Sequence, residues 1–213
     1  MTDIIKLGLI GCGSHGRGNL APANNTAPNA RIVAFVDIDE SRAKKIALDL
    51  SIDHYYVDYN KMLKEIPIDA VVIAVPHAEI LAAAMASIHA GKHLFIDKPM
   101  AMNAAEAQTI VDSAKEKQVK VMVGYCQRYA AGRMLMKQLL EKGVVGDVDL
   151  VIAGKGSGAL GGWLTTPPEQ GGGQLLFLGV HITDQILWLL NDCPLSIMGE
   201  IQWHAKGYDE TSS

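Results

Sequence analysis

Residues 4–37 run from an apolar segment, 4–10, through Gly11-Cys12-Gly13-Ser14-His15-Gly16 and a helix-length interval. A second apolar segment, 32–36, follows and ends in Asp37. Few folds accept that order. An apolar strand that feeds three glycines and then a helix is the phosphate-binding turn of a parallel α/β sheet. Gly11 permits the tight turn, Gly13 leaves the backbone open to a pyrophosphate, and Gly16 lets the helix lie close to the sheet. The N–H groups around Ser14 and His15, where the helix opens, then face phosphate charge. Asp37, 21 residues beyond Gly16, stands where a carboxylate accepts from the adenosine ribose hydroxyls. It also repels a 2′-phosphate, and Arg42 is the only cation nearby, so NAD is expected in preference to NADP.

The same alternation continues to about residue 123. Ser41 is expected to cap a helix reaching Leu50. Residues 69–75 form a continuous apolar run, the mark of a parallel strand buried on both faces, and Pro76 ends it. An alanine-rich helix follows to His89, with Gly91 as its stop. Residues 93–96 read as a strand, 103–117 as a helix and 119–123 as the last strand. This predicts an α/β fold with a doubly wound parallel sheet and right-handed crossovers. Pro22 conflicts with the first helix and predicts that it is short or kinked.

From Gly124 the pattern changes. Residues 131–142 read as a helix and 147–153 as a strand. A glycine-rich loop with Trp163, Pro167 and Pro168 follows. Gly171-Gly172-Gly173 then opens an apolar helix to Leu190, 195–204 reads as another strand, and 207–213 as a polar tail. Two domains are expected, 1–123 and 124–213, the second an incomplete α+β unit. Two strands alone are marginal unless something covers them. Self-association into a homo-oligomer through this region, or partial disorder after about residue 155, is expected.

Composition narrows the function. The 213 residues are 49% hydrophobic and carry a net charge of −4. No run of five or more basic residues offers nucleic acid a footprint. No segment reaches the ~18 uninterrupted apolar residues of a membrane span. Cys12, Cys126 and Cys193 have neither disulfide nor metal spacing, the histidines share none either, and no metal site is expected. The first strand begins at once, leaving no room for a secretion signal, so a cytoplasmic protein with reduced thiols is expected.

Four stretches carry a resemblance: residues 8–16, residues 69–76 ending in Pro76, residues 90–99 with Asp97-Lys98-Pro99, and residues 171–184 with His181 and Asp184. In order and spacing the chain resembles the glucose–fructose oxidoreductase/inositol dehydrogenase (Gfo/Idh/MocA) family along essentially its whole length. The resemblance implies an N-terminal Rossmann domain, then a domain built on a large, mostly antiparallel sheet that backs the active site and forms an oligomer interface. It implies hydride exchange between NAD or NADP and a secondary alcohol/ketone pair of a sugar, polyol or similar small molecule. Family chains are usually much longer, so only the opening part of the second domain is expected. Asp97 replaces the usual glutamate of Glu-Lys-Pro, and Phe177 stands where many members carry an aspartate.

Such a reaction needs a base for the hydroxyl proton and a group to steady the alkoxide. By resemblance Lys98, at the carboxyl end of a strand, bonds the substrate oxygen and borders the cofactor. His181 is the natural base, because imidazole titrates near working pH. Asp184, three residues on along the same helical face, orients it, binds substrate or balances charge. Phe177, one turn before His181, makes the pocket more apolar and either re-tunes or weakens catalysis. The resemblance puts Arg128 at a domain junction against substrate or cofactor; an ordinary salt bridge is an equal alternative. Trp163 either stacks on a sugar or wedges its loop, and Pro76 borders the nicotinamide. Two further readings stay open: a dinucleotide-binding protein without catalysis, and a glycoside hydrolase that uses NAD transiently, as a minority branch of the family does.

Overall fold

The computed structural model describes residues 4–204, Gly207 and residues 209–212. The chain divides between Val123 and Gly124 into two compact units. The first holds β1 (Ile5–Ile10), β2 (Ala30–Val36), α1 (Glu40–Asp49), β3 (Tyr55–Tyr56), α2 (Tyr59–Glu65), β4 (Ala70–Ile73), α3 (Ile80–His89), β5 (His93–Ile96), α4 (Ala104–Glu116) and β6 (Val121–Val123). Its six strands are all parallel, in the order β3-β2-β1-β4-β5-β6. The order reverses at β1, so the carboxyl ends of β1 and β4 border the crevice where sheets of this kind take ligands.

Strand alternation splits the core into two layers. Ile10, Val36, Val71 and Ile73 face one side of the sheet and pack with Met62, Ile80, Ile88 and Ile110 from α2, α3 and α4. Leu9, Phe35 and Val72 face the other side and pack with Ala43 and Ile46 of α1. Each large side chain fully buried here contributes roughly 1.5–3 kcal/mol. Because both faces are covered, the strands read as unbroken apolar runs.

Helix starts follow local side-chain bonds. Asp39 rather than Ser41 caps α1, its carboxylate accepting from the Ser41 N–H at 3.0 Å. Asn103 caps α4 by accepting from Glu106 N at 3.0 Å, while Glu106 accepts from Met102 N at 3.1 Å. The helix expected after the glycine turn is not a regular α-helix. After a single α-turn it continues as a wide π turn, Gly16–Leu20, and then a 3-10 turn, Ala21–Asn25. Pro22 has no N–H to donate into an α ladder, so the segment changes pitch.

The second unit holds α5 (Ala131–Glu141), α6 (Val180–Leu190), β7 (Ile201–Trp203) and β8 (Asp209–Ser212). A π turn, Leu175–Gly179, leads into α6. The strand expected at 147–153 does not form. The segment has no neighbouring strand among the described residues, and Leu150 and Ile152 are 75% and 88% exposed. An apolar run cannot become a strand without a ladder partner. The strand expected over 195–204 shortens to β7, which pairs antiparallel with β8 inside the expected polar tail. Residues 205, 206, 208 and 213 lie outside the described residues, as do 1–3.

Candidate active site

In the first unit, the glycine turn leaves β1 where the sequence predicts. Gly11 has φ +98°, and a side-chain carbon there would overlap the Ala74 carbonyl oxygen, so only glycine fits. Gly13 has no heavy atom within 4 Å of the place a side chain would take. Ser14 and His15 are exposed, and Gly16 is buried where the wide turn begins. Asp37, 8% exposed, closes on this turn. Its Oδ2 accepts from Cys12 N at 2.8 Å and its Oδ1 from Asp39 N at 2.9 Å, with Arg42 Nη1 at 3.9 Å.

Cys12 fills a closed slot beside this carboxylate. Burial, and then the Asp37 charge, push its thiol up to about 12. It therefore stays protonated and unreactive near neutrality. Iodoacetamide at about pH 8 should modify the exposed Cys126 and Cys193 but spare Cys12. Mass spectrometry should find two adducts on the folded chain and three after denaturation. Three adducts on folded protein would mean that the turn opens.

The exit of β5 faces the same turn. His15 Nε2 lies 3.5 Å from Asp97 Oδ2, and the other ring nitrogen of His15 meets Asn19 Nδ2 at 2.9 Å. Burial raises the Asp97 carboxyl above its ordinary range, against the pull of His15 and Lys98. Lys98 is half-buried and joins Pro99 through a cis peptide bond. Pro76 is exposed after β4 and starts the 3-10 turn His77–Glu79, in which His77 is buried. Glycine turn, Asp37, Pro76 and Asp97–Lys98 thus share the carboxyl edge of one sheet.

In the second unit, residues 125–129 grip one stripe of α6. Arg128 Nε donates to both Asp184 oxygens, at 3.1 and 2.9 Å, and Nη2 makes a third, shorter bond to Oδ1. The guanidinium lies over the Tyr125 and Trp188 rings at 5.7 and 6.0 Å. His181 is 6% exposed and meets Tyr125 edge-on, with ring centroids 6.4 Å apart at 78°. Gln127 Oε1 accepts from both Arg133 and Gln185. Burial, and then the Asp184 charge, keep the Tyr125 phenol protonated to higher pH than usual, and the Asp184 bond does the same for Arg128. Arg128 thus forms a salt bridge with Asp184 of its own unit. Asp184 is accordingly a buried, paired carboxylate.

The loop bearing Trp163 is tied to the glycines before α6, with Gly173 N donating to Leu164 O at 2.9 Å. Trp163 is 37% exposed, and Phe177 is half-buried within the π turn. Asp209 is a residue that sequence reasoning missed. It is 3% exposed, and its Oδ2 accepts from Leu175 N at 2.5 Å where the π turn begins. An acid 34 residues away from its partner leaves no local signal. A groove of about 600 Å³ separates residues 153–160 from Gln174, Leu178 and Ile182, and no predicted site residue lines it. No group of three or more potential metal ligands occurs among the described residues, and no helix there is long and apolar enough to cross a membrane.

Comparison with known proteins decides the family. Residues 5–125 match the oxidoreductase family with an NAD-binding Rossmann fold, and residues 134–213 match the GFO/IDH/MocA C-terminal domain. The chain belongs to the Gfo/Idh/MocA family. It is 29% identical over 192 residues to an inositol 2-dehydrogenase of Salmonella typhimurium, covering 88% of this chain and 55% of that protein. The chain thus spans about half the length of the curated relatives it matches. In fold it is similar to GenD2 from gentamicin A biosynthesis, solved in complex with NAD (TM-score 0.86, 19% identity, 100% of this chain and 62% of that one). It is also similar to scyllo-inositol dehydrogenase from Lactobacillus casei, solved with NAD(H) and scyllo-inositol (TM-score 0.73, 22% identity, 88% and 56%).

Proposed function

We propose that this protein is an NAD-dependent oxidoreductase acting on the secondary alcohol of a polyol or related sugar. The observation that carries the reading is the closure of Asp37 on the glycine turn. Each carboxylate oxygen spends one acceptor site on a backbone N–H and keeps another for a ribose hydroxyl. The open space over Gly13 suits a pyrophosphate, so the residues present fit a dinucleotide. A bound nicotinamide supplies the hydride acceptor. The inositol dehydrogenases among the relatives support a polyol as the substrate class.

Two side chains are assigned to the chemistry. The Lys98 ammonium donates to the substrate oxygen and favours its alkoxide form. His181 takes the hydroxyl proton and holds it on its imidazole. Arg128 and Asp184 serve His181 rather than acting on substrate. Pro76 borders the nicotinamide, while Trp163 and Phe177 bound the substrate on its apolar sides.

Titration of nicotinamide fluorescence tests the cofactor reading. NADH should bind more tightly than NADPH, since Asp37 repels a 2′-phosphate. Asp37→Ala should weaken NADH binding by about 1–3 kcal/mol and erase the preference. Equal affinities in the parent protein would overturn it.

We also propose self-association through the second unit. Leu150, Ile152, Ile197 and Met198 are exposed there, and exposed apolar surface favours association. Sedimentation should find dimers or larger species, and Leu150→Asp with Ile152→Asp should shift them toward monomer. A monodisperse parent monomer would refute this.

A further inference from the structure

The grip of residues 125–129 on α6 has more order than simple packing needs. The four α6 residues it holds are His181, Asp184, Gln185 and Trp188, spaced three, four and seven along the helix and so on a single stripe. The Tyr125 ring is shared: it meets the His181 imidazole on one side and lies under the Arg128 guanidinium on another. Arg128 spends its fork on Asp184, one turn from His181. We infer that Tyr125, Arg128 and Asp184 are positioning residues for His181. The ring fixes the imidazole's orientation, and the ion pair sets its proton affinity by setting two opposite charges against each other. This rests on the proposed reading only in giving His181 the role of base.

The electrostatic step has a definite sign. Asp184, at i+3, favours the imidazolium, and the Arg128 cation disfavours it. Paired, the two largely cancel. Other charged or titratable groups near this stripe include the Tyr125 and Tyr129 phenols, Arg133 and Lys137 of α5. Burial keeps the Tyr125 phenol protonated, Arg133 bonds the Gln127 oxygen that also holds Gln185, and Lys137 sits 6.0 Å over the Trp188 ring with Glu141 3.4 Å away. All of these are unchanged in the variants that remove one member of the pair. Removing Asp184 therefore leaves a cation beside the imidazole, whereas removing Arg128 leaves an anion. A merely structural pair would respond alike to both losses.

The test is an NMR titration of the His181 ring protons in the full chain, assigned by the resonance lost in His181→Asn. Asp184→Asn should lower the titration midpoint by roughly half a pH unit, and Arg128→Met should raise it by a similar amount. Arg128→Lys keeps the cation and should leave the midpoint near the parent value. Shifts of the same sign, or no shift in either variant, would overturn the proposal. Where a charge variant fails to fold, the Tyr125 arm decides. Tyr125→Leu should displace the His181 ring resonances and Tyr125→Phe should restore them; unchanged resonances in Tyr125→Leu would overturn it. No turnover is read, so a chain without dehydrogenase activity leaves this inference standing. Conversely, turnover that needs His181 while the midpoints stay fixed would sink the inference alone.

Discussion

Lys98→Ala and His181→Ala should each slow polyol oxidation by roughly 100-fold or more while leaving NADH affinity within about threefold of the parent value. The reason is where each group works. Lys98 lies two residues beyond the end of β5 and makes none of the bonds that hold Asp37 to the glycine turn, so on the proposed roles its loss removes alkoxide stabilisation and leaves the ribose contact intact. His181 belongs to a different compact unit from the glycine turn, and on the proposed roles its loss removes a proton acceptor and none of the bonds that hold Asp37 to that turn. Steady-state rates with myo-inositol and NAD, read beside fluorescence titration of NADH, separate the two effects. Full turnover in either variant would remove that residue from the mechanism. A parallel collapse of NADH affinity in Lys98→Ala would make it a cofactor-binding residue first.

The first unit was readable in the sequence because its signals are local. The strands are mostly apolar runs, and α1, α2 and α4 each start with an Asp or Asn within two or three residues of the N–H it satisfies. The turn of Gly11, Gly13 and Gly16 and its closure by Asp37 are legible because their spacing is itself the constraint. Pro22 signals the break in the first helix, which forms as a π turn and then a 3-10 turn, whereas the cap of α1 is Asp39 rather than the expected Ser41 because the Asp39 carboxylate reaches the Ser41 N–H. In the second unit the deciding bonds are long-range. Arg128 and Asp184 are 56 residues apart, and nothing in either neighbourhood selects a partner. Residues 147–153 have strand composition without a strand to pair with, so composition misled. Asp209 lies in a stretch that looked like a solvated tail, and only the fold turns it back onto the glycines before α6.

That return of Asp209 yields the largest stability effect expected in the second unit. Its Oδ2 accepts from Leu175 N at the start of the helical segment that continues as α6, so the carboxylate both caps orphan N–H groups and meets the positive end of the helix dipole. Gly173, at φ +96°, passes so close that a side-chain carbon would overlap Asp209 Oδ1. Asp209→Ala removes a cap and leaves a donor unsatisfied, at a cost of about 2–3 kcal/mol. Gly173→Val adds backbone strain and a direct clash, and should cost on the order of 3 kcal/mol or more. Thermal unfolding reads the second unit cleanly because all three tryptophans, Trp163, Trp188 and Trp203, lie in it. Both variants should bring the fluorescence transition to lower temperature, Gly173→Val further, while NADH binding to the first unit persists. Asp209→Asn keeps an acceptor without the charge and should fall between parent and alanine. If Gly173→Val unfolds with the parent, Asp209 does not hold the start of this helix, and the order around His181 must come from the Arg128 grip alone.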